Sequence, residues 1–214
     1  YANTDKTSTD PCAVDANDPN LAYKFGTMAN ETVIAQTFNK DLANEYGKIC
    51  GNYSLWSNLT IFWGCGTNLH RSPYNARNHE YYSEDAVLTS GQAVAFISGG
   101  KEYGVIIAPK HLAFNDTEIN RTGVSVFMTE QQARENELRG TQASIEDAGA
   151  LGIMTAFNRV GITAANAHTG LLKNILRGEW GFKGMVTTDW YTHAPQYTEI
   201  AAGNDVKMGC GDPA

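Results

Sequence analysis

The chain has 214 residues, a formal net charge of −7 at pH 7, 42% hydrophobic residues and 18% charged residues. This length can bury one sizeable core, and the composition is that of a soluble globular protein. The acidic balance, without any Lys/Arg-rich run, excludes nucleic acid as a partner. No apolar run is long enough to span a bilayer, so no membrane partner is expected. The compartment stays open between cytoplasm and secretion.

The cysteines and histidines do not form a familiar metal-binding pattern. The four cysteines lack any C-x-x-C spacing, which argues against zinc and permits disulfides without requiring them. His70, His79 and Glu80 also match no common ligand spacing. We therefore expect neither a metal nor another cofactor. The cysteines are Cys12, Cys50, Cys65 and Cys210.

Helical and strand-like patterns alternate along the chain. Residues 1–26 predict a polar lead-in with little order, and residues 27–214 predict the folded domain. The alternation indicates an α/β fold of βα units, either a (β/α)8 TIM-type barrel or a doubly wound sheet. With four to five strands the barrel would be incomplete, because a full one usually takes ~250 residues. Helices are predicted over residues 30–50, 83–98, 129–148 and 171–176, and strands over residues 59–63, 105–108, 151–157, 184–188 and 205–208.

Two predicted boundaries depend on single residues. Pro109 is expected to end the second strand, because proline has no backbone N–H to donate. Gly178 is expected to end the last of these helices. At the other end, Asn30 and Thr129 are suited to begin helices, the latter in a capping box with Gln132.

The segment from Gly178 to Trp190 contains an apolar strand that runs into a carboxylate, Asp189. A buried carboxylate must find partners or shift its pKa. In a barrel, however, the carboxyl end of a strand is where catalytic groups stand. Asp189 could instead cap the following turn, and spacing alone leaves both interpretations open.

Polar loops follow the predicted strands. Together they place carboxylates, cations, amides and aromatic rings at one end of the sheet. Such a mixture is suited to sugars, whose hydroxyls need polar partners and whose rings have an apolar face. The loops cover residues 68–85, 110–121, 158–161 and 189–193.

Four segments, in order and with family-like spacing, resemble the catalytic barrel of glycoside hydrolase family 3, the β-glucosidase and β-xylosidase group. The resemblance runs from about Thr27 to Gly209. The form Lys-His-Leu-Ala-Phe-Asn, which begins at Lys110, is closer to the glucosidase and xylosidase branch than to the N-acetylglucosaminidase branch. The segments are Arg77–Asp85, Lys110–His111, Met154–Asn158 and Leu176–Trp190.

This resemblance implies a retaining hydrolase that releases β-linked sugars, such as β-glucosides or β-xylosides, from non-reducing ends. Asp189 falls on the family's nucleophile, which forms a covalent glycosyl-enzyme. Arg77, Lys110 and His111 fall on residues that bind glycone hydroxyls. The resemblance therefore favours the nucleophile over the capping role for Asp189.

Two aromatic residues complete the substrate-binding set that the resemblance implies. Trp190 follows the nucleophile and would form part of the sugar subsite. Phe157 falls where the family often has tyrosine, so one hydrogen bond near the nucleophile would be missing. Milder departures are Leu112 for phenylalanine, His79 for phenylalanine and Ala76 for glycine.

The resemblance also implies missing parts. The family's general acid usually comes from a second α/β domain, and its opening barrel segment carries a glycone-binding aspartate; neither is recognised here. A truncated barrel exposes strand edges, so we expect a complementary domain or self-association to cover them. None of the available carboxylates falls on the acid role; they are Glu80, Glu84, Asp116, Glu118 and Glu179.

Two other functions remain open. Without the acid/base domain, the chain could be a non-catalytic carbohydrate-binding or structural fragment. Lys110 could also be a Schiff-base lysine, as in barrel aldolases.

Overall fold

The computed structural model describes residues 28–209, so the predicted lead-in over residues 1–26 lies outside the described residues. Five strands form one parallel sheet in the order β1-β2-β4-β7-β8, and β3, β5 and β6 form a small second sheet. The strands are β1 Ile61–Gly66, β2 Ile106–Leu112, β3 Ser125–Val126, β4 Gly152–Thr155, β5 Arg159–Val160, β6 Thr163–Ala164, β7 Met185–Trp190 and β8 Val206–Met208. The α-helices are α1 Glu31–Ala35, α2 Lys40–Trp56, α3 Ala86–Lys101, α4 Glu130–Gln132, α5 Arg139–Glu146 and α6 Gln196–Ala202.

The predicted alternation of strands and helices around a parallel sheet is confirmed. Helical segments separate the five strands of the main sheet along the chain. Within the described residues, β1 and β8 each pair with a single neighbour in that sheet, so it is an open arc. Because all five strands are parallel, their carboxyl ends lie along one rim, where the polar loops meet.

The single helix predicted over residues 30–50 is wrong, because the chain forms two helices there. Asn30 caps α1 as predicted, accepting a hydrogen bond from a first-turn amide. Phe38 then adopts a φ of 53°, a left-handed conformation that interrupts helical geometry. Asn39 caps α2 with its side-chain oxygen. Asn39 is a recognisable capping residue in the sequence. The helical spacing of apolar residues continues across the break, however, so this spacing predicts a single helix.

The prediction that Pro109 ends the second strand is wrong, because β2 runs through it to Leu112. The pairing of β1 with β2 shifts register between Trp63 and Gly66, beside this proline. At such an irregularity the ladder does not need the missing N–H. As a result, Lys110 and His111 lie within a strand of the sheet rather than in a loop.

The last predicted helix is also longer than expected. It is a π-type helix, Gly170–Glu179, that continues through Gly178. Gly181, with a φ of 64°, follows it and supplies the left-handed turn instead. The Thr129 cap is confirmed, with its hydroxyl accepting from the Gln132 amide at 3.2 Å. Wide π-type turns over Ala133–Glu137 connect α4 and α5.

Two buried apolar clusters pack against the main sheet. One includes Leu112, Ile153 and Val186 from neighbouring strands, together with Leu172 and Leu176 of the π-type helix. The other includes residues of β1, β2 and α3: Cys65, Ala93, Phe96, Ile97 and Ile107. The clusters fix the strands from which the site side chains extend.

Helices α2 and α3 approach each other closely at glycines. A Cβ atom on Gly99 would overlap the backbone carbonyl oxygen of Asn44, and one on Gly47 would overlap that of Phe96. A Cβ on Gly91, in the same helix as Gly99, would meet only the flexible end of Lys40.

We predict that Gly99→Ala lowers the free energy of unfolding by ~1–3 kcal/mol, because backbone atoms must move to admit the methyl group. The control Gly91→Ala should be neutral or stabilising by up to ~1 kcal/mol, since alanine suits a helix interior. Urea denaturation of both variants measures this. Equal stability of the two variants would contradict the packing described here.

Candidate active site

Asp189 lies inside the carboxyl end of β7, which extends two residues beyond the predicted strand. The residue is 6% exposed. Its Oδ1 accepts a hydrogen bond from the Trp190 amide at 2.7 Å, and its Oδ2 lies 3.3 Å from His111 Nε2. Burial opposes ionisation, but His111, the Trp190 amide and Arg77 outweigh it and lower the pKa of the Asp189 carboxyl below its usual range.

His111 connects Asp189 to the second strand of the sheet. Its backbone exchanges two hydrogen bonds with the Asn68 side chain, at 2.9 and 3.0 Å. The Tyr81 hydroxyl lies 3.1 Å from Nδ1 and accepts from Asn115 at 3.3 Å. Burial lowers the pKa of His111 to about 4, so the ring is neutral at physiological pH. When Tyr81 donates to Nδ1, the ring proton resides on Nε2 and faces Asp189.

Arg77 and Lys110 share one carboxylate, Glu80. Arg77 Nε donates to Glu80 Oε1, and Lys110 Nζ lies 3.1 Å from Oε2. Burial of Glu80 opposes ionisation, but the two cations outweigh it and lower its pKa to about 2. Arg77 Nη2 also lies 3.2 Å from His111 Nε2. Glu80 therefore holds both cations beside the Asp189–His111 contact.

Phe157 follows β4 and is covered on one face by Arg121. The guanidinium carbon of Arg121 lies 3.9 Å from the centre of the phenyl ring, a cation–π geometry. Glu118 holds Arg121 through a 2.6 Å hydrogen bond and lies 3.6 Å from Arg77. The face of Phe157 under Arg121 is thus unavailable to a ligand.

Trp190 is 50% exposed, and its ring centre lies 5.8 Å from that of Tyr191. Its backbone amide is the donor to Asp189 described above. The structure therefore brings Asp189, His111, Arg77 and Lys110 into one connected group, with Trp190 bonded to it through the main chain. Phe157 joins the same network through Arg121 and Glu118.

Comparison with known proteins decides the family. Residues 20–208 match the model of the glycosyl hydrolase family 3 N terminal domain. The chain belongs to glycosyl hydrolase family 3. It is 37% identical over 180 residues to β-glucosidase A of Butyrivibrio fibrisolvens, covering 84% of this chain and 22% of that protein.

Solved structures of the family agree in fold. β-Glucosidase 3B of Thermotoga neapolitana in complex with α-D-glucose superposes with a TM-score of 0.83 at 34% identity, covering 85% of this chain and 26% of the other. DesR, a β-glucosidase of Streptomyces venezuelae in complex with D-glucose, gives 0.85 at 33% identity, covering 90% and 24%. The predicted family and the incomplete TIM-barrel-like fold are therefore confirmed. The chain spans about a quarter of the length of these relatives.

Several positioning residues of this family 3 chain escaped the sequence prediction. The sequence offers Glu80 as a metal ligand or an acid and Glu118 as an acid, and it does not indicate Tyr81, Asn115 or Arg121. Only their positions in the sequence could have indicated them. Glu80 and Tyr81 lie in the Arg77–Asp85 segment, and Asn115, Glu118 and Arg121 lie in the polar loop after β2. Side-chain connectivity across loops is not encoded in spacing.

The two carboxylates that hold the site's cations, and Glu179, already have cationic partners. Glu80 and Glu118 are bonded to arginine or lysine, and Glu179 pairs with Arg134. We therefore assign no general acid among residues 28–209. In the same range, no cluster of three His, Cys, Asp or Glu side chains is suited to a metal ion. No helix of the described part of the chain is both long and apolar enough to cross a membrane.

A second acidic group lies beside the network. Arg71 Nη1 lies 3.3 Å from Asp116 Oδ2 and 3.4 Å from Glu137 Oε1. Asp116 is 9% exposed and Glu137 is 3% exposed. Burial raises the pKa of both carboxyls, and the neighbouring Asp116 charge raises that of Glu137 further, although Arg71 opposes both shifts. The pair is suited to retain a proton at pH values where ordinary carboxyls have lost theirs.

We predict that Glu137→Gln makes stability less dependent on pH. The folded carboxyl keeps a proton that the unfolded chain releases above about pH 4.5, so the unmodified chain loses stability as pH rises. One such proton corresponds to roughly 1.4 kcal/mol per pH unit. From pH 5 to pH 8, the free energy of unfolding measured in urea should fall by ~1–3 kcal/mol less in the variant than in the unmodified chain. Glu135→Gln, at an exposed neighbour, is the control; equal slopes for both would refute a retained proton.

Proposed function

We propose that this chain carries the nucleophile and the glycone-binding half of a retaining β-glycosidase of the β-glucosidase type. The observation that carries the proposal is the Asp189 carboxylate, which is buried at the carboxyl end of β7 and whose pKa is lowered by His111, the Trp190 amide and Arg77. A carboxylate oxygen in this state is available to attack carbon. Family membership and glucose-bound relatives support a sugar as the substrate.

The proposed reaction has two steps. Asp189 Oδ2 attacks the anomeric carbon, the bond from this carbon to the leaving oxygen breaks, and its electron pair departs with that oxygen. A general acid protonates the leaving oxygen, and we assign it to no described residue. Water then attacks the anomeric carbon, gives up a proton to a base and releases the sugar with Asp189 as a carboxylate. The glycone leaves with its original configuration.

Arg77, Lys110 and His111 are proposed to bind the glycone hydroxyls. Arg77 and Lys110 are held by Glu80, so their remaining N–H groups are oriented before a sugar arrives. Phe157 and Trp190 are proposed to line the same pocket, although Arg121 covers one face of Phe157. Positive charge beside Asp189 also favours its ionised form.

A Schiff-base mechanism at Lys110 fits this arrangement less well. It requires an amine that is free to attack a carbonyl carbon, whereas Lys110 Nζ lies 3.1 Å from Glu80 Oε2 in an ion pair. A non-catalytic sugar-binding role remains the second candidate. This role is favoured because the chain covers only a small part of its relatives, 22% of the Butyrivibrio protein.

We predict that 2,4-dinitrophenyl 2-deoxy-2-fluoro-β-glucoside labels Asp189. Dinitrophenolate leaves without protonation, so no general acid is needed, and the fluorine slows hydrolysis of the glycosyl ester. Intact mass should increase by one fluoroglucosyl group, and peptide mapping should place it on Asp189. Asp189→Asn should abolish labelling, while Asp147→Asn, at an exposed residue, should not. An unlabelled chain that still binds glucose would favour the sugar-binding role, and borohydride trapping at Lys110 would reveal a Schiff base.

We also predict that Lys110→Met slows this labelling about 10- to 100-fold, because a buried hydrogen bond to a glycone hydroxyl from a charged donor is lost. Glu80 keeps Arg77 as a partner, so the fold should persist. Lys173→Met, at an exposed lysine, is the matched control. Equal labelling rates for the two variants would remove Lys110 from the proposed pocket.

A further inference from the structure

The Nε2 atom of His111 lies between two groups that make opposite demands on it. It is 3.3 Å from Asp189 Oδ2, a carboxylate oxygen that accepts hydrogen bonds, and 3.2 Å from Arg77 Nη2, which can only donate. A proton on Nε2 therefore suits the carboxylate, whereas a lone pair on Nε2 suits the guanidinium. Because the ring is neutral, it carries a single proton, and the partner of Nδ1 determines which nitrogen holds it.

The partner of Nδ1 is the hydroxyl of Tyr81, 3.1 Å away. Tyr81 is fully buried, and its ring meets the imidazole edge to face, with centres 6.2 Å apart and planes inclined by 83°. The Tyr81 carbonyl also accepts a hydrogen bond from the Thr32 hydroxyl at 2.9 Å, which holds its main chain. A hydroxyl can either donate to Nδ1 or accept from it, so the direction must come from its other partner.

That other partner is the side-chain amide of Asn115, which is also fully buried. Its Nδ2 lies 3.3 Å from the Tyr81 hydroxyl and 2.9 Å from Glu118 Oε1. Glu118 is paired with Arg121 and accepts hydrogen bonds, so only the NH2 end of the amide can face it. One hydrogen of this NH2 group is donated to Glu118, and the other is donated to the Tyr81 oxygen.

The direction of each remaining hydrogen bond follows from this amide. Because the Tyr81 oxygen accepts from Asn115, its own hydrogen is directed at Nδ1, and the His111 proton resides on Nε2. The opposite tautomer would make the Tyr81 oxygen accept twice and turn its hydrogen away from both partners. Within residues 28–209, this hydroxyl has no third hydrogen-bond partner. An unpaired hydroxyl hydrogen in a fully buried position is costly.

We propose that Glu118, Asn115 and Tyr81 form a directional hydrogen-bond chain that keeps the His111 proton on Nε2, where it faces Asp189. Asn115 and Tyr81 are then positioning residues, which act on the nucleophile through the imidazole. With its proton on Nε2, the ring does not accept from Arg77, whose N–H is left for a glycone hydroxyl. The effect on catalysis rests on the proposed glycosidase function, whereas the position of the proton is a property of the unliganded chain.

The position of the proton can be measured by ¹⁵N NMR of the 214-residue chain labelled in its histidines, because protonated and unprotonated ring nitrogens have widely different shifts. The His111→Asn variant identifies the His111 signals. We expect the proton on Nε2 in the unmodified chain and on Nδ1 in Asn115→Asp. The new carboxyl oxygen accepts from the Tyr81 hydroxyl whether it is ionised or donates its one proton to Glu118. The control Asn120→Asp, at an exposed residue of the same loop, should leave the proton on Nε2.

Labelling of Asp189 by 2,4-dinitrophenyl 2-deoxy-2-fluoro-β-glucoside measures the consequence for the nucleophile. In Asn115→Asp the rate should fall about tenfold, because Asp189 loses a donor and Arg77 donates to the ring instead. Tyr81→Phe removes the hydroxyl without adding charge and should slow labelling by a similar factor. Tyr82→Phe, at the next residue and also buried, should label at the unmodified rate.

Other results would overturn the inference. A proton on Nδ1 in the unmodified chain, or one that stays on Nε2 in Asn115→Asp, would refute the directional chain. A moved proton with an unchanged labelling rate would refute its role in positioning the nucleophile. If Asn115→Asp does not fold, equal labelling rates of Tyr81→Phe and Tyr82→Phe would refute that role instead. If the unmodified chain is not labelled at all, the proposed function fails, while NMR still determines the position of the proton.

Discussion

The contact between Asp189 and His111 is the interaction on which the candidate site depends. Burying a carboxylate costs several kcal/mol, roughly, unless charge and hydrogen bonds compensate. Here the compensation comes from a neutral imidazole, one backbone amide and the nearby Arg77, and the pKa of Asp189 falls rather than rises. The strand order explains why these groups meet: β4 lies between β2 and β7, and both outer strands present polar side chains at the same rim. A shift of two residues along β2 would replace His111 with Pro109 or Ala113.

The two cations near Asp189 depend in turn on Glu80. An isolated pair of long basic side chains would lose conformational entropy when a sugar ordered them. Glu80 restricts both in advance, and Glu118 extends the restriction to Arg121. Donors that are already oriented lose less freedom on binding, which leaves more of the interaction free energy for affinity or catalysis. The partly buried acid that holds them is thus as important to the site as the cations.

The alternation of strands and helices could be predicted from the sequence, because apolar runs and helix caps are local signals. The family could be predicted from four collinear segments. Asn30, Asp85 and Thr129 cap helices through neighbouring amides, a relation that spacing can reveal. The break at Phe38 was missed because apolar residues keep helical spacing across this left-handed residue. The continuation of β2 through Pro109 was missed because it depends on a register shift in the pairing with β1. The resemblance indicates the residues that are proposed to touch the sugar. Tyr81, Asn115 and Arg121 act through other side chains, which no spacing rule identifies.

The open arc of the main sheet is compatible with a site that is only partly built by this chain. The residues proposed to hold the glycone follow or belong to β1, β2, β4 and β7, which are consecutive neighbours in the sheet. Hydrogen bonds between these strands position His111, Lys110 and Asp189, and ion pairs with Glu80 and Glu118 position Arg77. Protonation of a leaving group requires an acid on the far side of the anomeric carbon from Asp189. Such an acid need not share a strand with the nucleophile, so a separate structural element can supply it without disturbing the glycone half of the pocket.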